Sequence, residues 1–376
     1  MNREKTDKYY IKRAIELGRK GANMTSPNPR VGCVLVKSSR VLGEGFHRRF
    51  GGAHAEAEAI RQAGDDVSGS TAYISLEPCT HHGKTPPCAE LLMKSGVSRV
   101  VFAVEDPGLE TPARGVLEKA GISVTSGVCD EEARELIRDY LKVASGEGPL
   151  ITLKAASTLD GKTAAFTGKS RWISSRSSRE SAMRLRGTHD AILVGAKTVT
   201  ADNPRLTYRL EDPPAKQPLR VIIDGALSTD PAARAAGEGS LLITSGKMAG
   251  TAKAEEFRRL GSKVVAAETF GGVIPAAEIL GILQGRGVLS VLVEGGGETV
   301  WEFVRQGKID RVVFFYAPLI LGGSGAPTPC GGKGFSSPAE GLNLENLRVS
   351  HSGRDILVEA DVAALEKREE EECLQV

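Results

Sequence analysis

The chain has almost no excess charge: 49 Lys and Arg stand against 47 Asp and Glu, a formal net charge of +2. That balance provides no global field to attract a nucleic acid or an anionic membrane, and it favours a small-molecule substrate. Aromatic residues are only 5% of the composition, too sparse for a platform on which successive bases stack. No apolar run reaches the ~18 residues of a membrane span. The opening MNREKTDKYYIKRAIELGRKG lacks the apolar core of a signal peptide. These absences predict a cytoplasmic protein with neither nucleic-acid nor membrane partners. The six cysteines (Cys33, Cys79, Cys88, Cys129, Cys330, Cys373) are too scattered for a secreted disulfide scaffold. No internal repeat is visible.

What is present is enough chain for two cores. At 376 residues the length exceeds what one hydrophobic core usually organises, and 40% hydrophobic with 26% charged residues is ordinary for a globular protein. Helical spacing at Tyr10, Ala14 and Leu17 precedes a short apolar run, VGCVLV (31–36). AHAEAEAIRQA from Ala53 reads as a helix, TAYISL (71–76) as a strand, Cys88 to Lys94 as a helix, RVVFAV (99–104) as a strand and 130–144 as one helix. SGEGP (145–149) is the best linker. Beyond it, ITLKAA, AILVGA, RVIID, SLLITS, KVVAA and LSVLVE alternate with helical stretches, before a closing strand in RVVFFYAPLI and an antiparallel pair turning at Ser352 and Gly353. The expectation is α/β, with domains at 1–146 and 147–376. The charged tail EKREEEECLQV reads as a solvated helix end or disorder, with no function assigned.

One constellation carries chemistry. His54 sits at a helix start, Cys79 follows a strand, and Cys88 follows Pro86-Pro87 at another helix start. A catalytic zinc takes three N or S ligands and keeps a fourth position for water, and these residues supply that set. Glu56, two residues after His54, is placed to carry a proton from the attacking water to a leaving nitrogen. The order H-x-E then P-C…C is that of zinc deaminases, although eight residues, THHGKTPP, separate the cysteines where two are usual. The intervening loop must fold back to bring Cys88 beside Cys79, and His81 and His82 are competing ligands.

With TSPNPRVGCVLV (25–36), GEGFHRRFGGAHAE (43–56) and EPCTHHGKTPPC (77–88), the chain resembles the bifunctional riboflavin-biosynthesis proteins that join a pyrimidine deaminase to a reductase. The long cysteine spacing is that family's own variant. The resemblance implies a cytidine-deaminase-like N-terminal domain acting on 2,5-diamino-6-(phosphoribosylamino)pyrimidin-4-one, whose 2-amino group is hydrolysed to a carbonyl. It also implies substrate contacts at Asn28, His47, His81 and Lys84. One stretch departs: where the family has a DPNP-type turn, this chain reads EDPGLETPARG (105–115), without the asparagine.

The likeness continues through KAASTLDGKTA (154–164), GKSRWISS (168–175), DAILVGAKTVTADNPRLT (190–207) and VLVEGGGETVWEF (291–303). It implies a dihydrofolate-reductase-like C-terminal domain that uses NADPH to reduce the ribosyl group of the deaminated product to ribityl. By matching position, NADPH contacts fall on Ala156, Trp172, Thr198, Asp202 and Gly295, Gly296 and Gly297. Substrate contacts fall on Ser170, Arg186, Leu206, Arg209 and Glu294. Read from the residues alone, the triple glycine after VLVE is either a phosphate-binding turn at a helix N-terminus or a plain tight turn, and it is not the G-x-G-x-x-G fingerprint of a Rossmann domain. Asp202 and Glu294 are candidates for orienting or protonating the substrate. Zinc and NADPH are thus the expected cofactors, phosphoribosyl pyrimidines the expected ligands, and a homo-oligomer the expected state. Two other readings compete: a nucleic-acid base deaminase, and a zinc-stabilised protein whose second domain only binds a nucleotide.

Overall fold

The computed structural model describes residues 3–82, 86–211 and 216–363. The chain forms two compact units, one made by Met1–Pro149 and the other by most of the chain from Leu150 onward. Among the described residues no helix is long and apolar enough to cross a membrane. The charged C-terminal tail lies outside the described residues.

The first unit is built on β1 (Gly32–Lys37), β2 (Arg40–Phe46), β3 (Thr71–Leu76), β4 (Arg99–Val104) and β5 (Ser123–Thr125), in the order β2-β1-β3-β4-β5. β1 runs antiparallel to β2 and β3, and β3, β4 and β5 are parallel. The period-two alternation of β1 explains why its sequence is apolar throughout. Val34 and Val36 join Tyr10, Ile11 and Ala14 of the helix Arg3–Arg19, whereas Cys33 and Leu35 join Ala55, Ala59 and Leu92 on the opposite face. Two glycines set the spacing of the second layer: a Cβ at Gly43 or Gly45 would collide with the carbonyl oxygens of Ala59 and Ala55. Their absence lets the helix Ala55–Ala63 lie directly on β2, with Glu56 in its first turn.

This topology gathers residues at one end of the sheet. Because β1 opposes β3, the chain before β1 and after β2 meets the chain after β3 and β4, the carboxyl end where open α/β sheets bind ligands.

The second unit holds β6 (Leu150–Thr158), β7 (Ala191–Gly195), β8 (Leu219–Ile223), β9 (Ser240–Ser245), β10 (Lys263–Ala267), β11 (Ser290–Val293), β12 (Arg311–Ala317), β13 (Leu344–Ser352) and β14 (Asp355–Val362). Their order is β10-β9-β8-β7-β11-β6-β12-β14-β13. The first seven in that order are mutually parallel, and the β13–β14 hairpin closes the sheet antiparallel to β12. Ile192, Val194, Ile222, Leu242 and Leu292 form its main core with Phe257 and Leu206.

Four features differ from the expectations, among them the three-residue β5, which was not foreseen. β2 was not anticipated, because its hairpin turns through Ser38 and Ser39, both at positive φ, without the glycine or asparagine that usually marks such a turn. A helix at Ala113–Lys119 was also not foreseen. The single helix expected over 130–144 is two, Asp130–Leu136 and Arg138–Ala144. They break at Ile137, whose φ of −117° leaves both Leu136 and Ile137 in the core.

Candidate active sites

At the carboxyl end of the first sheet is a cavity of about 240 Å³, lined among others by Asn28, His47, His54, Glu56, Glu77, Cys79, His81, Asp106 and Tyr140. Four of the five strands contribute through an adjoining loop: Asn28 precedes β1, His47 follows β2, Glu77 and Cys79 follow β3, and Asp106 follows β4. Lys84 lies outside the described residues.

His54, in extended conformation, is the residue immediately before the helix Ala55–Ala63. Its Nδ1 lies 3.6 Å from Cys79 Sγ and 3.4 Å from Cys88 Sγ. A tetrahedral zinc with Zn–N near 2.0 Å and Zn–S near 2.3 Å separates such donors by about 3.5 Å. The chemistry and spacing of the three donors therefore fit zinc as they stand. Among the described residues no fourth His, Cys, Asp or Glu joins the group, so neither His81 nor His82 belongs to it. The long loop returns the chain so that the Cys88 backbone N–H donates to Cys79 Sγ at 3.3 Å and Ala89 N–H donates to the Cys79 carbonyl at 3.1 Å.

The charges are coupled. The Cys88 thiol, with support from His54 and the Cys88 N–H, pulls the Cys79 thiol well below its usual range. Cys88 shifts upward because a second negative sulfur beside Cys79 is unfavourable in a buried place. Glu56 is fully enclosed, and burial, reinforced by the negative Cys79, raises its carboxyl above the usual range while His54 draws it back. A carboxyl displaced in this direction is suited to carrying a proton near neutral pH.

His47 is fixed on both ring nitrogens. Nδ1 donates to the Ala53 carbonyl at 2.9 Å, leaving Nε2 to accept from Asn28 Nδ2 at 3.3 Å. Burial lowers its pKa, so the neutral ring is favoured. Glu77 was missed in the sequence reading, although a carboxylate directly after an apolar strand is a signal. It is buried, accepting from Ala113 N at 2.7 Å through Oε1 and from Asp106 N at 3.2 Å through Oε2. It thereby ties the departing 105–115 stretch to β3.

In the second unit Glu294 follows β11 and is enclosed by two cations. Arg186 pairs with it at 2.7 and 2.8 Å, and Lys154 Nζ lies 3.4 Å away. Burial alone would raise the Glu294 carboxyl, but Lys154 and Arg186 prevail and bring it from 4.5 down to about 2. Of the two roles left open for it, protonation is therefore disfavoured at neutral pH, and orientation remains. Lys154 was also missed, although a lysine within the apolar run ITLKAA was visible. Arg186 and Arg209 both donate to the Thr207 carbonyl, at 3.3 and 2.9 Å. Arg209 is lowered by burial and by the nearby Arg186, Arg205 and Arg234.

The glycine turn packs tightly. A Cβ at Gly295 would lie 2.9 Å from Thr299 Cβ, one at Gly296 3.0 Å from Thr198 Oγ1, and one at Gly297 2.8 Å from Gly331 N. Glycine is thus required here by packing, and the turn leads directly into the helix Gly297–Arg305. Ala156 is on β6 and Asp202 ends the helix Ala196–Asp202. Ser170 is part-buried in the loop that carries Trp172. Trp172 is 68% exposed beneath the Arg179 guanidinium, 4.3 Å from its ring centre. The Leu206 side chain is buried in the core, so a ligand at that position meets its backbone.

Two family models match the chain: the cytidine and deoxycytidylate deaminase zinc-binding region over residues 4–104, and the RibD C-terminal domain over residues 149–358. The riboflavin biosynthesis protein RibD of Bacillus amyloliquefaciens is 44% identical over 358 residues, covering 94% of this chain and 96% of that protein. The protein of the same name from Escherichia coli K12 is 34% identical, covering 93% and 98%. Among solved structures, RibD of Acinetobacter baumannii (form 1) superposes with a TM-score of 0.87 at 35% identity over 96% of this chain and 99% of that one. A diaminohydroxyphosphoribosylaminopyrimidine deaminase/5-amino-6-(5-phosphoribosylamino)uracil reductase from Thermotoga maritima superposes with a TM-score of 0.85 at 35% identity, over 96% and 99%.

Proposed function

The chain belongs to the RibD family of bifunctional deaminase-reductases of riboflavin biosynthesis, and from that premise we propose which of its residues perform the two reactions. The observation that carries the reading is the buried Glu56 beside the His54–Cys79–Cys88 group, with Glu56, His54 and Cys79 lining one cavity. The deaminase domain is assigned to residues 1–146 and the reductase domain to 147–376.

In the first domain His54, Cys79 and Cys88 would hold zinc, which when bound would supply the Lewis acidity that lowers the pKa of water towards ~7. Glu56 takes up a proton from the attacking water and delivers it to the amino nitrogen that departs from the pyrimidine ring as ammonia. His47, held neutral by burial, lies against the base together with Asn28, whose side-chain amide it holds through Nε2. His81 and Lys84 bind the ribose phosphate end, where Lys84 acts as a flexible point charge. The substrate is 2,5-diamino-6-(5-phosphoribosylamino)pyrimidin-4(3H)-one and the product 5-amino-6-(5-phosphoribosylamino)uracil.

In the second domain NADPH, when bound, supplies the reducing equivalent for opening the ribosyl ring to ribityl. Ala156, Trp172, Thr198, Asp202 and the Gly295–Gly297 turn would hold it. The crowded guanidiniums of Arg186 and Arg209 favour an anion, and they bind the substrate phosphate with Ser170 and the backbone at Leu206. Glu294 stays ionised and orients the sugar. The protein works on small molecules in the cytoplasm, without nucleic acid or membrane. A second copy fits the face of β12–β14–β13, where Phe314 and Tyr316 stack beside Val358, and Val349 is 63% exposed.

The test is to follow ammonia release and NADPH oxidation in the whole protein. The reading expects Glu56→Gln to abolish ammonia release while NADPH oxidation continues on supplied deaminated product. Undiminished ammonia release from that variant contradicts the mechanism.

A further inference from the structure

The departing loop has a partner that the sequence motifs do not reveal. Tyr140, on the helix Arg138–Ala144, donates its hydroxyl to Asp106 Oδ1 at 2.8 Å, and both residues line the deaminase cavity. The same Oδ1 accepts from Gly108 N at 2.9 Å. Asp106 Oδ2 has no hydrogen-bond partner among the described residues. The carboxylate is thus held by one oxygen on a wall of the cavity that also contains Glu56. The hydroxyl reaches Asp106 through space that position 108 leaves open: a Cβ there would lie 3.0 Å from Tyr140 Oη and 3.3 Å from Asp106 Oδ1. Gly108 and the tyrosine on a separate helix are therefore sterically linked. Burial and the charge of Asp106 keep the phenol protonated and hence a donor.

We propose that Tyr140 is a positioning residue of the deaminase site, fixing the Asp106 carboxylate so that its second oxygen accepts a hydrogen bond from a donor on the pyrimidine substrate. The proposal rests on the deaminase reading above and deepens it. Tyr140 acts through Asp106, so its loss weakens substrate binding and leaves the proton transfers of Glu56 in place. Gly108 favours this arrangement, because a Cβ there would crowd the hydroxyl, which would have to give by a few tenths of an ångström.

The experiment is a double-mutant cycle on the full-length zinc-loaded protein, with ammonia release as the readout. Tyr140→Phe keeps the ring packed against the core and removes only the oxygen. It is expected to raise KM about tenfold while kcat stays within about twofold. NADPH oxidation with supplied deaminated product, measured on the same preparation, should be unchanged. Gly108→Ala should raise KM by itself and add less in the Tyr140→Phe background, since the closer of the two oxygens it approaches is gone. A wild-type KM in Tyr140→Phe, or independent additive effects of the two substitutions, would overturn the proposal. A wild-type chain that releases no ammonia would instead count against the deaminase reading itself.

Discussion

Glu294 and Arg186 face each other in a two-pronged ion pair, Oε1 to Nε at 2.7 Å and Oε2 to Nη2 at 2.8 Å. With Lys154 on its other side, the Glu294 carboxyl lies at about 2 instead of 4.5. Its folded-state pKa is depressed, so its contribution to stability is present above about pH 4.5 and is lost as the pH falls towards 2. The shift corresponds to about 3 kcal/mol. Urea unfolding of the second unit should therefore show an acid loss in the wild type that is smaller by about this amount in Glu294→Gln. Identical acid dependence in the two proteins would contradict the assignment.

Removing Arg186 should do more than remove a phosphate ligand. Arg186→Ala leaves Glu294 enclosed with Lys154 alone, at a cost on the order of 3 kcal/mol to the second unit. Reductase activity should fall steeply while ammonia release by the first unit continues, which parallel assays on one preparation would show.

A chelator strong enough to extract zinc should stop ammonia release and leave NADPH oxidation on supplied deaminated product intact. Cys88→Ser should lower the zinc content measured by elemental analysis, and Glu56→Gln should not. A Glu56→Gln protein that loses its zinc would show that the carboxylate belongs to the ligand set.

Glu77 gives a prediction that the motif reading alone would not. Glu77→Ala frees the N–H groups of Ala113 and Asp106, costing about 1–3 kcal/mol of stability, and releases the loop that carries Asp106. The expected outcome is a raised KM for deamination with a lowered unfolding midpoint. An unchanged KM would mean that the loop holds its place without this anchor.

The legibility of the sequence was uneven for physical reasons. β3, β4 and the helix Cys88–Lys94 were readable because apolar runs bounded by turn residues allow few alternatives, and His54, Cys79 and Cys88 were readable because zinc demands a small ligand vocabulary. β2 escaped because serines at positive φ carry no strong turn signal, and the break at Ile137 because it reflects tertiary packing. Glu77, Tyr140 and Lys154 were not singled out because their partners lie 36, 34 and 140 residues away, respectively. Such pairings exist only once the sheets have formed.

The most direct test of two reactions in one chain is mass spectrometry of the products formed from the diamino substrate by the zinc-loaded protein, with and without NADPH. Without NADPH the product should have exchanged an amino group for oxygen and retained the ribosyl group. With NADPH the same product should have gained a further hydride and proton. Reduction of the side chain while the amino group remains, or a product that is the same with and without NADPH, would contradict the account.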